Sequence, residues 1–435
     1  MSSKSYENAC TIALERALTS VLFYEHWRSL DPGPALSISK RYSALPILHK
    51  RDIRAHMPRG FTPKDRELKS GLASGEVELV YTSGTTEERS SIVWHQSWWD
   101  SSEEASAKSH RDYNQVFKYK KPQAVLTSPL CGGAVCHTGD LPLNERILDG
   151  ILFLNQKADP NYWQPYDMDR IIEELAHFQP ELLEANPSYL ALLCRYAQEK
   201  NKQIFEPRFI ELTYEYSSRL HYRQVRAIFP NSSILSVLGS TETGVLFTEC
   251  EHGYFHQNSE FCHIDFQPFK TQFGDSHSGR ILVTTLNNPW LSLVRFDLGD
   301  LIRIASERCP CGDFDGLTAA RILGRTRDLT FTMTGRAVTV DELDQIVGTL
   351  DTISAYCLEQ KSKEDFIFHY QKSKGSFVNT SQLEELLHSL YGSEIQLTLT
   401  EESFIAVEQS GKLRLAKSLM EWNPEDLFKS SAEDL

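Results

Sequence analysis

The chain has 435 residues, and 45 Lys and Arg against 59 Asp and Glu give it a formal charge of −14. That length exceeds one compact core and predicts two or three domains. The acidic balance, with no long Lys/Arg run, works against a nucleic-acid or anionic-membrane partner and fits an enzyme that binds small ligands locally. No charged start followed by an apolar stretch occurs over residues 1–18, and nowhere do 18 apolar residues run together. No membrane span is therefore expected, and a cytoplasmic location is.

Residues 6–30 read as a helix, with Leu14, Ala17, Leu18, Val21 and Leu22 on one stripe, stopped by Pro32-Gly33-Pro34. Residues 45–54 lead into a short helix, and the chain reaches a strand at 77–80. Then comes Tyr81-Thr82-Ser83-Gly84-Thr85-Thr86-Glu87-Glu88-Arg89-Ser90. Small hydroxylated residues around a glycine let N–H and O–H groups converge on phosphate oxygens, which makes this segment an anion-loop candidate. Residues 97–117 are helix-compatible, 124–127 form a buried-strand candidate, and Ser128-Pro129-Leu130-Cys131-Gly132-Gly133 follows. Paired glycines there suit either close backbone approach to a ligand or a tight turn. Residues 151–154 are another buried strand. Asp167 can cap a helix that carries Ile171, Leu175 and Phe178, and Asn186-Pro187 opens a second. Strands at 210–214 and 234–238 flank a helix containing Val225 and Ile228. This alternation predicts an α/β fold with a mainly parallel sheet.

The strand at 234–238 ends in Gly239-Ser240-Thr241-Glu242-Thr243-Gly244. A carboxylate beside hydroxyls at the carboxyl end of a strand can hold Mg²⁺ bridging phosphate oxygens; a capped turn is the plainer alternative. After the strand at 279–286 comes Arg295-Phe296-Asp297-Leu298-Gly299-Asp300, where Asp300 either accepts both hydroxyls of a ribose or sits in a hairpin turn. The organisation changes at Gly324-Arg325-Thr326-Arg327-Asp328. Beyond it short strands (355–359, 366–370, 395–400) and helices alternate as a small α+β lid, with a capping box Ser381-x-x-Glu384 at 383–390. The expected domains are 1–324 and 325–435. The last feature is Ser410-Gly411-Lys412, an exposed lysine next to a glycine.

Nine cysteines, an odd number, are mostly scattered (Cys10, Cys131, Cys136, Cys194, Cys262, Cys357) and suit reduced core thiols rather than a disulfide framework. Cys309-Pro310-Cys311-Gly312 is different. With Cys250 and the imidazoles of His252 and His256 upstream, two short turns can supply four soft ligands to a structural zinc. The expected set is Cys250, His256, Cys309 and Cys311, closed to catalysis because all four positions are taken.

Taken in order, the motifs at 81–90, 239–244, 295–300, 324–325 and 410–412 resemble those of the adenylate-forming (ANL) superfamily of acyl-coenzyme A synthetases and adenylation domains. The phenylacetate–coenzyme A ligase branch is the most similar, and the likeness covers nearly the whole chain. Leu45-Pro46-Ile47-Leu48-His49-Lys50-Arg51-Asp52-Ile53 is similar to that branch's approach to its phosphate loop, and the cysteine knuckle looks like a feature of many of its members.

The resemblance implies a large N-terminal domain with mixed and parallel sheets, a mobile C-terminal lid, and a two-step ligase reaction. A carboxylic acid, aryl or small, takes AMP from ATP with release of pyrophosphate, and a thiol then displaces AMP. Coenzyme A and the phosphopantetheine of an acyl or peptidyl carrier protein are both open as acceptors. Thr82, Ser83, Gly84, Thr85 and Thr86, with Gly239 and Ser240, would cradle phosphates. Thr241 would contact the α-phosphate and Glu242 would ligate Mg²⁺. Asp300 would hold the ribose with Arg325 nearby, and Lys412 would reach the reacting oxygens. Residues 325–328 would be the pivot. The acid would lie among Tyr214, Glu215, Tyr216, Val237, Leu238, Cys131, Gly132 and Gly133.

Three positions depart from the pattern. Glu87 stands in the phosphate loop, Arg327 where an acidic hinge residue is common, and Asp344 in place of a common glutamate. An adenylyltransferase that stops at AMP transfer, and a degenerate nucleotide-binding scaffold, are the alternatives these departures leave open.

Overall fold

The computed structural model describes residues 3–81, 90–128, 141–154, 157, 159–312 and 314–429. The first helix, Ser3–Ser20, buries Cys10, Leu14, Ala17 and Leu18 along one stripe. It stops ten residues earlier than the periodicity predicts, because Val21 is extended and bridges to Pro63. The apolar pattern continues instead in a short 3₁₀ helix, Leu22–Trp27, that buries Tyr24 and Trp27. Strands Glu78–Tyr81 and Ser91–Trp94 pair antiparallel, Tyr81 opposite Ser91, and so bracket the anion-loop candidate. The helix expected over 97–117 is two, Gln96–Ala107 and Asn114–Lys118. Between them the His110 imidazole accepts a hydrogen bond from the Tyr113 amide at 3.2 Å and turns the chain.

Twelve of the described strands form one sheet. Gln123–Leu126, Ile151–Phe153, Leu182–Ala185, Phe209–Leu212 and Ser233–Ser240 are parallel neighbours. Helices Pro165–Phe178, Pro187–Lys200 and Arg219–Ile228 cover one face over a core of Leu126, Leu183, Ile210 and Leu193. Gln96–Ala107 and Asn114–Lys118 cover the other. From Ser240 onward the sheet is antiparallel through Gly244–Glu249, Phe255–Gln257, Thr318–Arg325, Phe296–Ile304, Ser278–Thr285 and Cys262–Pro268. A mainly parallel sheet is thus the wrong expectation: connections after Ser240 run to at most 13 residues and hold no helix among the described residues, so the strands pair antiparallel. The N-terminal helix packs on this half.

Asp167 also differs from expectation. Gln164 is the cap of helix Pro165–Phe178, and Asp167 is its third residue, accepting the Gln164 amide at 2.7 Å.

The chain leaves the large sheet at Arg325 through the turn Thr326–Asp328. A four-stranded sheet follows, Ile353–Gln360 between Asp365–Lys372 and Ala416–Ser418, with Gln396–Glu401 at the edge. Helices Val340–Val347 and Thr380–Tyr391 pack on it through Leu343, Leu383 and Leu387. The Ser381/Glu384 box does not cap the second helix; Asn379 does, accepting from the Gln382 amide, which starts the helix one residue before Ser381. Leu220, from helix Arg219–Ile228, belongs to the same core. Asp344 is buried and accepts from the Arg219 amide at 2.8 Å, while Arg223 donates to the Gly348 and Leu350 carbonyls.

Candidate active site

The turn that ends Ser233–Ser240 is fixed by its glycine. Gly244 has φ +75°, and a Cβ there would lie 2.8 Å from Ser102 Oγ and 2.9 Å from the Trp98 ring. No L side chain fits. Thr243 is buried with its hydroxyl 2.9 Å from that of Ser240, so the turn presents half-buried Thr241 and Glu242, which is only 7% exposed.

Asp300 is not in a hairpin turn. It lies inside the long strand Phe296–Ile304, directly opposite Arg325. Gly299, at φ +82°, donates to Asp297 Oδ1 at 2.8 Å and locally bends the strand. Asp300 is 3% exposed; its Oδ1 accepts from Arg325 Nε at 3.0 Å, and its Oδ2 is buried with no hydrogen-bond partner among the described residues. An unsatisfied buried carboxylate oxygen is costly unless a ligand completes it.

Lys50 was not anticipated from the sequence. It opens helix Lys50–His56 and is exposed, yet the protein packed around it pulls its pKa below the usual lysine value. Glu242 and Asp300 oppose that shift, while Arg325 and Arg327 add to it. Four charged groups from distant parts of the chain are therefore within electrostatic reach of Lys50.

Lys412 is half-buried rather than exposed, and Ser410 and Gly411 are buried. Its hairpin closes through Glu408 N to Lys412 O at 2.9 Å, with Gly411 at φ +83°. Glu215, just beyond strand Phe209–Leu212 of the large sheet, holds the hairpin: Oε2 accepts from the Leu413 amide at 2.7 Å and Oε1 from the Ser188 amide at 2.9 Å. Burial raises the Glu215 pKa against these bonds. From the other side Arg327 donates to Glu408 at 2.8 Å, and Arg414 bonds both Asp328 and the Arg327 carbonyl.

The expected acid-pocket residues divide. Tyr214, at φ +75°, donates its hydroxyl to Glu184. The Tyr216 hydroxyl reaches Asp341 at 3.2 Å, and its ring packs on the lid core. Val237 and Leu238, as successive strand residues, point to opposite faces; Val237 lies toward helix Gln96–Ala107 and Leu238 joins the core under the N-terminal helix. Cys131, Gly132 and Gly133 lie outside the described residues, as do Thr82, Ser83, Gly84, Thr85 and Thr86 with Glu87.

Cys250, His256, Cys309 and Cys311 do come together, their ligand atoms all within 4.8 Å of one another. Cys250 and Cys309 sulfurs are 3.6 Å apart, Cys309 and Cys311 2.9 Å, and His256 Nε2 is 3.1 Å from Cys311 Sγ. Thr318 Oγ1 lies 3.3 Å from His256 Nδ1, and Phe314 stacks on the ring at 4.0 Å, which fixes its orientation. His252 is not in the group. Cys10, Cys194, Cys262 and Cys357 are buried free thiols.

No family model matches the sequence and no curated protein is similar to it. Solved structures are. 2-Hydroxyisobutyryl-CoA ligase in the postadenylation state with 2-HIB-AMP superposes with a TM-score of 0.71 at 15% identity, over 96% of this chain and 89% of that one. The same ligase in the thioesterification state, with 2-HIB-AMP and CoA, gives 0.56 at 16% identity over the same shares. Anthranilate CoA ligase with anthranoyl-AMP gives 0.52 at 10% identity, over 77% and 65%. The chain has the fold of the adenylate-forming acyl-CoA ligases.

Proposed function

We propose that this chain is an ATP-dependent acid–thiol ligase. A carboxylate oxygen attacks the α-phosphorus of ATP, the bond to the β-phosphate oxygen breaks, and pyrophosphate leaves; a thiol then attacks the acyl carbon and AMP leaves. The observation that carries the reading is Asp300, a buried carboxylate with one oxygen held by Arg325 and the other unpartnered, and like Glu242 within electrostatic reach of Lys50. Asp300 Oδ2 fits a ribose hydroxyl.

Attack of one anion on another is a repulsion problem, solved by placing positive charge where charge develops. Lys412 is the group for the reacting oxygens, and Lys50, within electrostatic reach of Glu242 and Asp300, adds positive charge that a phosphate loop with Arg89 and Ser90 but no lysine does not itself carry as an ammonium. Glu242, with Thr241 toward the α-phosphate, fits Mg²⁺, which when bound bridges phosphate oxygens and neutralises part of their charge. Residues 82–86, 239 and 240 complete the phosphate side, and 325–328 form the pivot between domains 1–324 and 325–435. The acceptor is coenzyme A or carrier-protein phosphopantetheine.

The test is pyrophosphate release from ATP and Mg²⁺ across a panel of acids, with and without coenzyme A. Release with acid alone supports adenylation, and faster turnover with coenzyme A identifies the acceptor. Adenylation that coenzyme A leaves unchanged points to a carrier protein. ATP binding without release on any acid overturns the reading.

The Cys250, His256, Cys309 and Cys311 group fits a structural zinc, since three sulfurs and an imidazole nitrogen already converge. Chelator-washed protein is expected to retain about one zinc per chain, and Cys309→Ser to lose it with a lower thermal midpoint. A folded protein with negligible zinc rejects the assignment.

A further inference from the structure

The sheet face under helices Gln96–Ala107 and Asn114–Lys118 begins apolar, with Leu182 and Phe209 packed on Ala107, Tyr113 and Val116. Two residues further along each strand the chemistry changes. Glu184 and Glu211 stand side by side in adjacent parallel strands, flanked by Val125 and Leu235 in the same row. Glu103, one helical turn before Ala107, comes close enough for its charge to oppose both.

Three carboxyls in mutual reach would normally be compensated by a cation. Here the Tyr214 hydroxyl donates to Glu184, the Tyr113 hydroxyl to Glu211, and Trp99 Nε1 to Glu103 at 2.7 Å. Among the described residues no Lys, Arg or His pairs with any of them. Burial pushes all three pKa values up, Glu211 to about 8. Glu103 and Glu184 are nonetheless partly accessible, so the carboxyls border an opening rather than a sealed core. As packing alone, this arrangement is expensive.

A separate feature points into the same space. Thr127 follows strand Gln123–Leu126 on the face shared by Val125, whose row partner is Glu184. It is 7% exposed, and its Oγ1 has no hydrogen-bond partner among the described residues.

We infer that this opening receives the tail of the acid substrate, and that the tail carries a basic nitrogen, an ammonium or guanidinium, held by Glu184, Glu211 and Glu103 with the Thr127 hydroxyl. The inference rests on the adenylation reading and names its substrate class. Glu184 and Glu211 each lie one residue before the end of their strands, Ala185 and Leu212, and Glu215, four residues past Glu211 and so at most about 13 Å along the chain, holds the Lys412 hairpin. The nitrogen is therefore separated from the carboxylate by one ring or a chain of several carbons. An uncharged tail leaves the carboxyls desolvated and unpaired, which makes the site selective by penalty as well as by attraction.

Matched acids test this: 4-(aminomethyl)benzoate against 4-ethylbenzoate, and 6-aminohexanoate against heptanoate, each scored by kcat/KM for pyrophosphate release and by direct binding in titration calorimetry. The aminated member is expected to be preferred by about 100-fold or more. The Glu184→Gln/Glu211→Gln variant, checked for an unchanged thermal midpoint, should lose most of that preference by weakening the amine and improving its uncharged partner. Release with uncharged acids at equal or higher rates overturns the cluster's role while the ligase reading stands. If no acid releases pyrophosphate, that reading fails, and calorimetry still decides the site: amine acids that bind no tighter than their partners, or equally to the variant, overturn it.

Discussion

Lys412→Ala lowers acid-dependent pyrophosphate release by about 10³-fold and leaves thioester formation from supplied acyl-adenylate within a few-fold of wild type. The asymmetry follows from where charge develops. In the first half-reaction a carboxylate and a phosphate approach, and on the proposed assignment Lys412, half-buried on a hairpin held through Glu215 and Arg327, offsets their repulsion. A preorganised cation in a site shielded from water is worth several kcal/mol there, because the protein spends nothing reorienting solvent as the reaction proceeds. In the second half-reaction a thiol attacks an acyl carbon already bearing a good leaving group, and the proposed pivot at 325–328 would have turned the hairpin away. Stopped-flow or radiolabel assays of the two halves measure the split. Equal loss of both halves would contradict the lid assignment, since a residue needed throughout cannot be one that leaves.

The parts of this site that are legible in the sequence are those whose chemistry and geometry are local. The turn Ser240-Thr241-Glu242-Thr243-Gly244 needs only its own strand ends, and Cys309 and Cys311 are two residues apart. Asp300 is the opposite case. Glycine followed by aspartate between apolar runs is the same pattern in a turn and in a bent strand, and only pairing with Arg325 decides between them. The antiparallel half of the sheet was misjudged because alternation of strands and helices stops at Ser240, and a missing helix is a weaker signal than a present one. Lys50 looks like any charged residue at a helix start, and its importance comes from Glu242, Asp300, Arg325 and Arg327, which the fold brings to it. Glu184 and Glu211 did leave a signal. Each interrupts an otherwise apolar buried strand, Leu-Leu-Glu-Ala and Phe-Ile-Glu-Leu, where a carboxylate has no packing reason to be.

Glu215→Ala is expected to reduce adenylation by about 30- to 100-fold while leaving thioester formation from acyl-adenylate unchanged. Glu215 is a positioning residue: it touches the backbone next to Lys412 and acts through it. Its two oxygens serve two amides, and losing them has unequal consequences. Ser188 N also donates to Asn186 Oδ1 at 3.1 Å, so that helix start remains capped. The Leu413 amide has no second acceptor among the described residues, and an N–H left unpaired away from water costs about 1–3 kcal/mol, less where it is half-buried as here. That cost falls only on the arrangement in which the hairpin is docked, so it shifts the lid's equilibrium away from the adenylation-competent form and not the stability of either domain. Removing a carboxylate whose pKa burial has raised also relieves a desolvation penalty, which keeps the thermal midpoint near wild type. Glu215→Gln, with one acceptor oxygen retained, should fall between. A variant that loses both half-reactions together, or neither, would show that the hairpin is held by something other than Glu215.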